Sequence, residues 1–182
     1  VTRIVLLTSS LDVLGGAQRV AHTVADGLHR RGHDVTLVGV APGPASHDYG
    51  IDPAIRRVTL MDGEWPALPV ELTRSGARRP PPPELLARRA ELTSGAVDRL
   101  GRLLGAGEPG VVVSTQVWAM EHLAHVPHDE WAVIGQYHSS MEAAAASGDL
   151  ERVIAAYRDV DVVAMLTPSD ADAIRRLGLV DV

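Results

Sequence analysis

Cysteine, lysine and phenylalanine are all missing from this chain of 182 residues. Without cysteine there is no disulfide and no thiolate metal site, and a reducing, cytoplasmic location fits. Without lysine, a Walker-type phosphate loop is excluded. All 17 basic residues are therefore arginine. A GC-rich coding sequence produces such a bias, so a single arginine carries no functional signal by itself. Positive charge is also outweighed. The formal net charge is −6, which argues against a general nucleic-acid binder, because a phosphate backbone calls for a basic face. No apolar run nears the ~20 residues that cross a bilayer, and no secretory leader pattern opens the chain. What is present is 46% hydrophobic content, enough for one well-buried domain.

The apolar residues fall into short blocks. Arg3–Thr8 (RIVLLT) reads as a strand buried on both faces. After the loop SSLDVLGG, residues Ala17, Val20, Ala21, Val24, Ala25 and Leu28 recur at steps of three and four. That spacing predicts a helix with Arg19, His22, Asp26 and Arg30 on its other faces. Gly32 suits the left-handed position after a helix, and Asp34–Val40 (DVTLVGV) reads as a second strand. Strand, helix and strand make a βαβ unit with a right-handed crossover. Further strands are predicted at Arg56–Met61, Gly110–Thr115, Trp131–His138 and Val160–Thr167. Helices are predicted at Pro83–Leu104, Met120–Ala124, Leu150–Asp159 and Ser169–Leu177, the last capped by Ser169 or Asp170. The fold class is thus α/β, a Rossmann-like, doubly wound, mostly parallel sheet with helices on both faces. Active groups in such sheets gather at the carboxyl ends of strands. The unusual residues lie there: Ser9–Gly16, Thr115–Trp118, His138–Met141 and Thr167–Asp170.

From Asp62 to Pro83 the rhythm fails, and the segment ends in four prolines, Pro80–Pro83. A stiff, solvated surface excursion is one reading. The span Glu71–Arg102 also holds seven arginines (Arg74, Arg78, Arg79, Arg88, Arg89, Arg99, Arg102) against four acids. That local excess fits an anionic acceptor or peripheral contact with a membrane surface.

Among candidate site residues the glycine pair Gly15–Gly16 comes first. A helix start offers unpaired N–H groups and partial positive charge, and close approach of a phosphate leaves no room for a β-carbon. Arg19 opposes the helix dipole there, which an anion would offset. Spacing alone leaves a plain turn with tight packing equally open. The dinucleotide fingerprint G-x-G-x-x-G is not present, since no third glycine follows at the required place. His138 stands where an apolar strand becomes the polar loop HSSM, as either a structural or a functional histidine. His22, His29 and His33 belong to the first helix and its end, and His47 has no evident partner. His122, His125 and His128 are spaced by threes around Pro127, which interrupts the helix, and no metal site is expected. There is no G-x-S-x-G elbow, and Ser139 and Ser140 lie too close to His138 to imply a triad. Asp170 and Asp172 read as acids of a helix N-terminus.

Three phrases together resemble one family. GGAQRVAHTVADGLHRRGHDVTLVG follows the opening strand, YHSSM follows a later one, and a further strand runs into LTPSDADAIRRLG. They are similar to the N-terminal, acceptor-side domain of GT-B-fold glycosyltransferases of the retaining family 4 type, one half of a GT-B fold. The resemblance spans most of the chain and weakens over residues 45–110. It implies two Rossmann-like domains facing across a cleft, the C-terminal one holding most of a nucleotide-sugar and the N-terminal one the acceptor. Gly15 and Gly16 would then approach the donor diphosphate, and His138 would orient hydroxyls near the donor sugar. Ser10, Arg19, Thr115, Gln116 and Ser139, on the same edge, become candidates for acceptor contact.

Retention in this family is ascribed to same-face attack assisted by the leaving phosphate, with no metal and no other cofactor. The implied partners are a second domain, the nucleotide-sugar, and an acceptor that is a sugar, lipid or small molecule. Many relatives carry glutamate where this chain has Gln18. The family's basic diphosphate contacts and its E-x7-E element belong to the second domain, so residues 1–182 alone are expected to be catalytically incomplete. Two alternatives are an epimerase- or dehydrogenase-like Rossmann domain and a non-catalytic binding domain. The missing fingerprint, and LVGVAPG in place of an acid at the end of the second strand, count against the former.

Overall fold

The structure is a computed structural model and describes residues 1–43, 47–68 and 80–178. The middle of the irregular excursion, with Arg74, Arg78 and Arg79, and the terminal LVDV lie outside the described residues. Strands are β1 (Arg3–Thr8), β2 (Asp34–Gly39), β3 (Arg56–Thr59), β4 (Val111–Ser114), β5 (Ala132–Tyr137) and β6 (Val162–Met165). Helices are α1 (Gly16–Arg30), α2 (Pro83–Gly105), α3 (Val117–Leu123), α4 (Met141–Ser147), α5 (Leu150–Ala156) and α6 (Pro168–Arg176). The strands form one sheet in the order β3-β2-β1-β4-β5-β6, and every pairing is parallel.

Alternation along the strands sorts their side chains into two cores. On one face Ile4, Leu6, Val35 and Leu37 meet Ala21 and Ala25 of α1. On the other, Val5, Leu7, Val38, Val112, Val133 and Val163 meet Leu92, Leu100, Met120, Leu123 and Val153 from α2, α3 and α5. Parallel strands joined by right-handed crossovers produce this division. The chain moves one way from β1 to β2 and the other way from β3 across to β4, so its helices land on opposite faces.

Local chemistry sets the helix ends. Pro83, last of the four prolines, is the first residue of α2, where a missing N–H costs nothing. Gly32, at φ +84°, takes the left-handed position after α1. Thr167, rather than Ser169 or Asp170, caps α6: its hydroxyl accepts from the Asp170 N–H at 3.2 Å and donates to the Asp170 carboxylate at 2.6 Å. The other carboxylate oxygen of Asp170 accepts from the Met141 N–H at 2.9 Å, tying α6 to the start of α4. Helix α4 has no counterpart in the sequence-based expectation. It is capped by Ser140, which accepts from the Ala143 N–H, and closed by Gly148 at φ +81°.

The buried face of α1 also differs from expectation. Gln18, Ala21, His22 and Ala25 are buried, whereas Val20 is 38% exposed. Small residues let the helix lie close on β1 and β2, and the inward polar residues are held by partners described below. In β5 the backbone passes so close to the buried Tyr157 ring that a β-carbon at Gly135 would overlap it. Tyr157 is pinned there by its hydroxyl, which donates to the Gln136 carbonyl at 3.0 Å. Gly135→Ala is expected to destabilise the fold by about 2 kcal/mol through overpacking, measured as a lowered midpoint in urea unfolding.

Candidate functional site

The sheet order reverses between β1 and β4, and the loops leaving their carboxyl ends diverge into a crevice. Gln116, the residue before α3, fills its floor. Its side-chain oxygen accepts from the Ser9 N–H at 2.7 Å and from the Thr8 hydroxyl at 2.9 Å. The Gln18 amide reaches the same oxygen at 3.4 Å and the Ser9 hydroxyl at 3.3 Å. With its oxygen so engaged, the half-exposed Gln116 side chain turns its NH2 group away from these donors. Gln18 is buried, and its neutral amide NH2 group has two acceptors. A glutamate in its place would set a carboxylate oxygen against that of Gln116.

The glycine pair divides into two different cases. Gly15 is the N-cap of α1 with φ −166°, an extended conformation open to any residue. Its reason is packing, because a β-carbon there would overlap Oε1 of Gln18. Gly16, the first residue of α1, is exposed, and a β-carbon on it would meet nothing within 4 Å. Neither the backbone nor the packing of the described residues calls for glycine at position 16. The helix start that follows has no side-chain cap and no acid in its first turn. Arg19, in that same turn, is exposed. The leading N–H groups therefore face outward beside a cation.

His138 follows β5, half-buried, with Nε2 at 3.3 Å from Oε1 of Gln136. Burial lowers its pKa below the ordinary 6.5 and keeps it neutral. Because β4 separates β1 from β5, the strands that lead into the glycine loop and His138 stand two strand spacings, roughly 10 Å, apart. Ser139 is exposed beside it. Thr115 is 1% exposed, with its hydroxyl on the Leu7 carbonyl at 3.4 Å. Ser10 is also buried and accepts from the Asp12 N–H at 3.3 Å. Of the sequence candidates for acceptor contact, Arg19, Gln116 and Ser139 reach solvent, while Ser10 and Thr115 hold the loops from inside.

Three residues were not legible as parts of this site. His22 is 1% exposed, not on an outer face of α1. Its Nδ1 pairs with the Gln18 carbonyl at 2.8 Å, and its ring stacks on Tyr49 at 4.3 Å. His47, far from partnerless, sets its ring edge-on to Tyr49 at 4.5 Å. Tyr49 in turn bonds the glycine loop, as detailed below. A cleft of about 460 Å³ opens beside this loop, lined by Leu11, Asp12, His47, Asp48, Arg57 and Thr59.

The remaining histidines do not converge. His122 is buried with Nδ1 on the Trp118 carbonyl at 2.8 Å, and Nδ1 of His128 lies 2.6 Å from the Val126 carbonyl. Among the described residues no three histidine or acidic side chains come together as a metal-ligand set. No described helix is long and apolar enough to cross a membrane. Of the α2 arginines, Arg88 pairs with Glu91, Arg89 donates to the Pro66 carbonyl over the Trp65 ring, and Arg99 pairs with Asp62. Among the described residues of that stretch, these three arginines have partners within the chain.

A six-stranded parallel sheet reversing at β1/β4, with an uncapped helix start at the reversal, defines a Rossmann-like α/β protein. The same strand order serves dehydrogenases, so fold alone does not separate the classes. Sequence does: the model of Glycosyltransferase Family 4 matches residues 14–181, and the chain belongs to that family. No curated protein matches the chain in sequence. Its fold is similar to that of sucrose-phosphate synthase from Thermosynechococcus elongatus, with a TM-score of 0.60 at 16% identity. The likeness covers 96% of this chain and 45% of that one. The chain thus spans under half the length of that protein.

His22, His122 and His138 all have pKa values lowered chiefly by burial. As pH falls below the ordinary value of 6.5, the unfolded chain binds protons at these rings that the folded chain resists. Folding stability is therefore expected to fall between about pH 7.5 and about pH 5.5. Urea midpoints at the two values check this, and His22→Gln should flatten the slope.

Proposed function

We propose that this chain is the acceptor-side half of a glycosyltransferase that moves a sugar from a nucleotide-sugar to an acceptor hydroxyl with retention. Family membership carries the reading, and the outward-facing start of α1 at Gly16 is the structural observation that supports it. In this reading the donor diphosphate lies against Gly15 and Gly16, while the nucleotide sits mainly in a second Rossmann-like domain. The bond from the sugar's anomeric carbon to the diphosphate oxygen breaks, and its electron pair stays on that oxygen. The acceptor oxygen forms the new bond on the same face, and its proton passes to the departing phosphate. Negative charge rises on the diphosphate as the bond breaks, where the outward N–H groups and positive helix end stabilise it. Arg19 and the Gln116 NH2 group add donors at the rim.

His138 suits a positioning role. Being neutral, and with Nε2–H donated to Gln136, it keeps Nδ1 as an acceptor for a sugar or acceptor hydroxyl. Its partner Gln136 fixes the tautomer, so no proton need leave the ring. The cleft beside the loop offers carboxylates at Asp12 and Asp48 and a guanidinium at Arg57, a set that suits a polyhydroxylated acceptor. No metal enters the scheme, because the helix end and arginine supply the positive charge.

Two experiments test this. In the full-length protein, assayed against a panel of nucleotide-sugars, Gly16→Val is expected to reduce transfer roughly a hundredfold by displacing the diphosphate. His138→Ala should reduce transfer with thermal unfolding unchanged. Parental rates in both variants would refute the site. Calorimetry on residues 1–182 alone should register little or no heat with any nucleotide-sugar. Tight binding there would instead put the donor site within this half.

A further inference from the structure

Tyr49 lies 34 residues beyond Gly15, in the stretch joining β2 to β3. Its hydroxyl donates to the Val13 carbonyl at 2.7 Å and accepts from the Gly15 N–H at 3.1 Å. One side-chain atom therefore closes both ends of the bend Val13–Leu14–Gly15, which leads directly into Gly16. The ring itself is fixed. It stacks on the buried His22 at 4.3 Å with 24° between planes, and the His47 ring meets it edge-on. Behind it, the Asp48 carboxylate accepts from the Gly50 N–H at 2.9 Å, and Gly50 takes φ +64°, a turn that glycine permits.

These contacts form a closed circuit around the glycine loop. Tyr49 holds Gly15, the Tyr49 ring rests on His22, His22 is tied to the Gln18 carbonyl, and the Gln18 side chain packs where a Gly15 β-carbon would be. Nε2 of His22 has no hydrogen-bond partner although it is buried. The ring serves as a flat surface for Tyr49 at the expense of one unsatisfied nitrogen. We propose that Tyr49 is a positioning residue for the donor diphosphate: its hydroxyl fixes the Val13–Leu14 and Leu14–Gly15 peptides that lead into Gly16, so that the N–H groups beyond them aim at phosphate. The inference rests on the diphosphate reading of Gly15 and Gly16.

The direct variant is Tyr49→Phe, which deletes the hydroxyl and keeps the ring between the two histidines. Calorimetry on the full-length protein with UDP, GDP and ADP should show the diphosphate that binds the parent binding about tenfold more weakly to Tyr49→Phe. With the corresponding nucleotide-sugar, kcat/KM should fall by a similar factor while KM for the acceptor stays at the parental value. A general loss of structure would move both substrates and the thermal midpoint together, and that pattern overturns the inference. His47→Ala, which removes the edge contact steadying the ring along with part of the cleft wall, should shift diphosphate affinity the same way by about twofold. It provides the reading if Tyr49→Phe does not fold. Gly16→Val separates the two layers. If none of the diphosphates binds, or Gly16→Val binds like the parent, the diphosphate reading itself fails. If Gly16→Val blocks binding and Tyr49→Phe and His47→Ala leave it unchanged, Tyr49 only staples the loop and the inference fails.

Discussion

One carboxamide oxygen holds the crevice together. Oε1 of Gln116 accepts from the Ser9 N–H and the Thr8 hydroxyl, and the Gln18 amide stands within reach. These groups come from the end of β1, the loop after it and the first turn of α1, while Gln116 itself follows β4. A parallel sheet cannot bridge such loops with its own ladder, because the strand ends diverge at the reversal. Buried backbone polar groups there still require partners. A glutamine supplies an acceptor without a charge, so no desolvated carboxylate has to be neutralised. That floor and the Tyr49 hydroxyl together fix the loop carrying the glycines above the sheet.

Histidine does a second kind of structural work in this chain. His22 and His122 repeat one arrangement: each ring pairs Nδ1 with the carbonyl four residues earlier in its own helix. Each leaves Nε2 buried without a partner, and each lies against an aromatic ring, Tyr49 in one case and Trp118 in the other. With no phenylalanine and only 3% aromatic residues, imidazole takes the place of a flat apolar ring. Neutrality is a condition of that use, since a buried imidazolium without a counter-charge is unfavourable.

How far the sequence could be read follows from what each feature depends on. All six strands, and the long helices α1 and α2, were evident because periodicity and composition are local. Helix α4 was missed although its signals were there: Ser140 as cap, a run of alanines, and Gly148 as stop. Its alanines offer little contrast between faces, so no period marked it. The buried side of α1 was misjudged because polarity assigned His22 to an outer face, while its partner Tyr49 lies far away in the chain. The glycine pair was legible as a pair. That Gly15 answers to Gln18 and Gly16 to nothing within the described residues required coordinates. The proposed roles in transfer rest on family membership rather than on periodicity, because a role depends on what the cleft holds.

The contact between Gly15 and the Gln18 side chain also constrains how this protein can change over time. A β-carbon at position 15 would displace the end of the Gln18 side chain, and that side chain also supplies a donor to the Gln116 oxygen. An acid at position 18 would in turn require a donor in place of that oxygen at position 116. No single replacement among the three positions improves one contact without spoiling another. Their substitution energies are therefore expected to be non-additive.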